Sequence, residues 1–83
     1  MDIFESSPKE KFFDIVFNAN RNLVEEELEN LFTKFIAISE LAEKAGIDER
    51  TVGSFVLENQ DLINERLNDL FIGSVANILS QNE

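Results

Sequence analysis

Apolar residues recur along the chain at intervals of three and four, and stretches of strict alternation are few, so the pattern predicts helices and no sheet. Ser7 followed by Pro8, Lys9 and Glu10 is a capping residue ahead of a proline at the first helical position, where the missing N–H costs nothing. The helix that starts there carries Phe12, Phe13, Ile15, Val16 and Phe17. It is expected to end near Asn20, because the asparagine-rich run from Asn18 to Asn22 is a poor helix continuation.

Asn22 is the expected cap of a second helix, with Glu25, Glu26, Glu27 and Glu29 near the positive end of its macrodipole. Val24, Leu28, Leu31, Phe32, Phe35, Ile36, Ile38, Leu41, Ala42 and Ala45 then keep helical spacing, and no proline or glycine intervenes before Gly46. Two readings fit residues 22–45. One is a single long helix through Ala45; the other, slightly favoured, breaks near Ala37 or Ser39, where Ser39 with Glu40 can begin a separate short helix.

Gly46 stands where a helix ends in a left-handed residue, and Asp48 is placed to cap the next helix over residues 49–57, with Val52, Phe55 and Val56 on its inner face. Glu58, Asn59 and Gln60 interrupt. A last helix from Asp61 to about Ser80 presents Leu62, Ile63, Leu67, Leu70, Phe71, Val75, Ile78 and Leu79 on its apolar side. The expected fold is all-α: a compact bundle of four to five helices in one domain over residues 1–83, with disordered ends at 1–6 and 81–83 and a helix-turn-helix-like unit inside it.

Composition narrows the chemistry. Cysteine and histidine are absent, which excludes disulfides, thiol chemistry and metal sites built on histidine or thiolate, and no cofactor is expected. No histidine is available as a general base, and the carboxylates fall on helix surfaces, so an enzyme is not expected. No apolar run approaches the roughly 18 residues of a membrane span, and the start MDIFESSPKEK lacks a secretory pattern, which predicts a cytoplasmic location. Hydrophobic residues make up 43% of the chain, enough for a folded core. The formal net charge is −10, and acids outnumber bases in every quarter of the chain.

The segment from Leu41 to Asn59 resembles the helix-turn-helix of the lactose-repressor family: Ala42, Ala45, Gly46, Ile47, Thr51 and Val52 stand at its small, glycine, hydrophobic and Thr-Val positions. It is equally similar to the tetracycline-repressor family, in which a further helix follows the recognition helix, as Asp61, Leu62 and Ile63 suggest. The likeness covers residues 39–63. It implies a motif core of Leu41, Ala42, Ala45, Gly46, Ile47 and Val52, in which Ala42 allows close helix approach and Ile47 and Val52 seal the space between the helices. It also implies base reading by Arg50, Thr51 and Ser54. The chain departs from the pattern at Gly53, where the tetracycline-repressor family carries an aromatic backbone contact, and at Asp48 and Glu49, two acids at the end that would face phosphate.

Two functions follow as expectations. The first is a small acidic cytoplasmic regulator that binds another protein, with Phe12, Phe13, Phe17, Glu25, Glu26 and Glu29 as candidate partner-binding residues. The alternative is a sequence-specific DNA-binding transcriptional regulator whose helix 48–57 enters the major groove. A homodimer is expected through the end of the last helix, near Val75 to Leu79.

Overall fold

A computed structural model of the protein describes residues 7–80, so the ends expected to be disordered lie outside the described residues. Four helices follow in order: α1 (Pro8–Asn18), α2 (Arg21–Lys44), α3 (Glu49–Glu58) and α4 (Gln60–Ser80). The fold is all-α.

Each boundary has a local cause. The Ser7 hydroxyl accepts the Glu10 N–H at 3.1 Å, with Pro8 entering the first turn of α1. α1 stops at Asn18, two residues earlier than expected, because Asn20 and not Asn22 caps α2: its side chain accepts the Asn22 N–H at 2.9 Å. α2 then runs unbroken for 24 residues, so the expected break near Ala37 or Ser39 is absent. Every residue from Arg21 to Lys44 tolerates the helix, and the apolar spacing stays in register across Ser39, leaving nothing to terminate it.

The end of α2 is a complete Schellman turn. Gly46 has φ of +81°, its N–H donates to the Glu43 carbonyl at 3.0 Å, and the Ile47 N–H donates to the Ala42 carbonyl at 2.9 Å. Asp48 caps α3 as expected, and Asn59 alone separates α3 from α4.

α4 is the hub. α1 lies mainly along α4, α2 packs on α4 and on α1, and α3 meets only α4. Among the described residues the buried apolar side chains are Phe12, Val24 and Ile78, one each from α1, α2 and α4. Phe12 packs its ring on Phe71 of α4 at 5.1 Å between centroids and meets Phe13 edge-on at 5.2 Å. Within the stretch expected to pair copies, Ile78 is enclosed by its own chain and Val75 is half-buried, while Leu79 is 48% exposed. The molecule has extents of 42 × 27 × 16 Å.

Candidate protein-binding face

Six apolar residues of α2, Val24, Leu28, Leu31, Phe35, Ile38 and Ala42, followed by its C-cap Ala45, alternate spacings of four and three and so form one straight seam of the coiled-coil type. The structure divides that seam in two. Val24 is buried and Leu28 and Leu31 are half-buried, whereas Phe35 is 68% and Ile38 65% exposed. The flanking Phe32, Ile36 and Leu41 are exposed as well.

α3 repeats the situation. Its inner face of Val52, Phe55 and Val56 is as expected from spacing, yet Val52 and Phe55 are each about half exposed and no residue of the helix is buried. The six motif-core residues do not form the closed core expected of them: Ala42 is half-buried, while Leu41, Ala45, Gly46, Ile47 and Val52 are exposed. After the Schellman turn α2 and α3 do not pack against one another. Between them lies a cleft of ≈ 480 Å³, lined by Phe35, Ala42, Ile47 and Val52 with Glu43 and Asp48 at its edge.

At the start of α3 the Asp48 carboxylate accepts both the Thr51 N–H and the Thr51 hydroxyl, each at 2.8 Å. The backbone bond, reinforced by the hydroxyl, holds the Asp48 carboxyl below its ordinary pKa. Of the three candidate base readers, Thr51 thus spends its hydroxyl on the cap, while Arg50 and Ser54 are exposed one turn apart on the side of α3 away from Val52 and Val56.

The candidate partner-binding residues separate in the same way. Phe12 is buried and unavailable, packed on Phe71; Phe13 also meets Phe71 but is 41% exposed, and Phe17 is 80% exposed. Glu25 pairs with Arg21 at 2.7 Å, and Glu26 and Glu29 face solvent.

Glu27 was hidden inside the acidic run and differs from its neighbours. It is only 3% exposed and meets α4, where the Asn77 amide donates to its carboxylate at 3.4 Å beside the buried Ser74. These residues line a groove of ≈ 350 Å³ between α2 and α4. Position 27 lies three residues after Val24 and four before Leu31, a spacing that puts it on the covered side of α2.

Among the described residues no group of histidine, cysteine, aspartate and glutamate is arranged to hold a metal ion, and no helix is long and apolar enough to cross a membrane. No curated protein and no solved structure matches the chain. A family model does match over residues 4–83, and the chain belongs to that family, described as a domain of unknown function (DUF2018).

Proposed function

We propose that the protein is a small acidic cytoplasmic regulator that acts by binding another polypeptide through helix–helix contact, with no chemistry of its own. The observation that carries this reading is the uncovered apolar surface on the far half of α2 and on α3, where Phe32, Phe35, Ile38 and Leu41 of α2 and Phe55 of α3 are all exposed. A surface of this kind marks a protein interface. A net charge of −10 supports the same reading, since it opposes approach to a phosphate backbone.

The test is a photo-crosslinking side chain placed at Leu41 in the producing cell. Adducts with polypeptide are the expected result; a face that yields none overturns the reading.

A second reading, groove recognition of DNA, is favoured by one observation, the exposure of Arg50 and Ser54 on the same side of α3. A gel shift with random duplex at low salt tests it, because even specific readers keep nonspecific electrostatic affinity. Absence of a shift removes it.

A further inference from the structure

We infer that the groove between α2 and α4 at Glu27 is a binding site for a linear aliphatic diamine or polyamine, with one ammonium group seated on the Glu27 carboxylate and another at Asp69. The site lies on the covered half of α2, so the inference does not depend on the reading of the apolar surface of α2 and α3.

The buried carboxylate carries the argument. Glu27 is 3% exposed, and its one hydrogen bond among the described residues is the 3.4 Å contact from the Asn77 amide to Oε2. That is longer than the roughly 2.7 to 3.2 Å usual for an N–H donor to oxygen. Oε1 has no hydrogen-bond partner among the described residues, yet no unpartnered polar side-chain atom there is sealed from solvent, so Oε1 opens on the groove that Glu27 lines. A carboxylate withdrawn from water and short of donors costs the fold free energy until a cation reaches it. The groove is the way in.

The lining decides which cation. A hard metal ion takes six or more oxygens, and among the described residues the acids do not converge in the clusters that would supply them. An alkylammonium group has three donors, which Glu27 Oε1 and the neighbouring Ser74 hydroxyl can accept, and its methylene stem can rest on Leu31 and Leu70. Lys34 also lines the groove, but among the described residues no ion pair joins it to Glu27 or Asp69. Two acids and one base therefore leave the groove negative.

The separation of the two acids sets the length of the ligand. Asn77 meets Glu27 beside Ser74, and Asp69 precedes these two residues on α4 by eight and five positions, about 8 to 12 Å along the helix axis. An extended chain advances about 1.2 Å per bond, so about 7 to 10 bonds between terminal nitrogens span that distance. Spermidine and 1,8-diaminooctane fall in this range, whereas 1,4-diaminobutane is too short to engage both ends.

Calorimetric titration of the intact chain at about 0.15 M salt, where long-range attraction to a net charge of −10 is screened, tests the site. 1,8-Diaminooctane should saturate at one per chain and bind about 2- to 5-fold tighter than octylamine, the share expected of an exposed pair at Asp69. It should also bind tighter than 1,4-diaminobutane. Glu27→Gln should weaken it about 10- to 100-fold, and Asp69→Asn should erase its advantage over octylamine. Glu25→Gln combined with Glu26→Gln removes more charge from the surface and should leave the affinity within about 2-fold. The native chain supplies a measurement independent of any variant: NOEs should join the ligand methylenes to the Leu31 and Leu70 methyl groups, with amide shift changes at Ser74 and Asn77. Binding that ignores chain length and falls equally in the Glu25 and Glu26 variant is attraction to bulk charge and overturns the site. NOEs to Phe35 and Ile47 in place of Leu31 and Leu70 put the ligand in the other cleft and overturn it as well. Octylamine bound as tightly as the diamine overturns the two-ended ligand, and the absence of binding at millimolar diamine overturns the inference outright.

Discussion

Glu27 and Asn77 meet across the α2–α4 interface through one long hydrogen bond of 3.4 Å, with the carboxylate almost wholly withdrawn from solvent. Asn77→Ala leaves that carboxylate without its side-chain donor and should cost about 1 to 3 kcal/mol, nearer the lower figure because the bond is long. Glu27→Leu removes the polar group and should be neutral or stabilising. In the Glu27→Leu background, Asn77→Ala should then cost much less. Urea unfolding of the four proteins at one fixed concentration checks the cycle, and equal costs in both backgrounds would show that the two residues are not coupled.

Gly46 and Gly53 separate backbone conformation from space. A Cβ at either position meets nothing within 4 Å, but Gly46 alone has a positive φ, +81°. Gly46→Ala should therefore destabilise by about 1 to 2 kcal/mol through strain alone. Gly53→Ala, inside α3, should stabilise by up to about 1 kcal/mol. The same denaturation series reads both, and equal signs would refute the assignment of the cost to φ.

The turn at Gly46 also shows which parts of this fold are legible in sequence. A glycine followed by Asp48 and Thr51 specifies a left-handed stop and a cap through interactions within a few residues, and both are found in the structure. The α2 cap lies two positions before the one the sequence favours, because Asn20 and Asn22 are chemically equivalent candidates and only the path of the chain out of α1 chooses between them. Continuity across Ser39 depends on the absence of a competing partner, which Ser39 with Glu40 does not reveal. The candidate face was harder still. Spacing identifies Phe35, Ile38, Val52 and Phe55 as apolar-face residues, but whether another helix of the same chain covers them depends on the angle at which α3 leaves α2, a property no local pattern encodes. Glu27 is hard to read for a related reason: its acidic neighbours suggest a solvated cluster, although its spacing from Val24 and Leu31 places it inward.

Asp48 gives α3 a defined response to acid. Its carboxyl is held low in the folded chain by the Thr51 N–H and hydroxyl, so its contribution to stability is complete above the unfolded carboxyl value of about 4 and is lost as pH falls through the lowered folded value. No dependence from this group is expected between about pH 5 and 8. Asp48→Asn keeps an equally good capping oxygen and should remove this part of the acid sensitivity, whereas Asp48→Ala should fray α3 at every pH. Carboxyl carbon shifts of Asp48 followed through an acid titration, with helicity in parallel, measure both. A midpoint at or above the unfolded value would contradict the cap as described.

Phe12 and Phe17 are both α1 phenylalanines and should behave as opposites. Phe12 is 7% exposed and its ring packs on Phe71, so Phe12→Ala removes a core side chain and its aromatic contact, at an expected cost of about 3 to 5 kcal/mol. Phe17 keeps only a loose stack on Phe13, at 6.4 Å between centroids, and Phe17→Ala should change stability by less than about 1 kcal/mol. The comparison also probes assembly, because a residue buried between copies would look exposed in one chain. A loss at Phe17 comparable to that at Phe12, appearing only at concentrations where the chain self-associates, would place α1 at a contact between copies. A small and concentration-independent effect keeps α1 outside it.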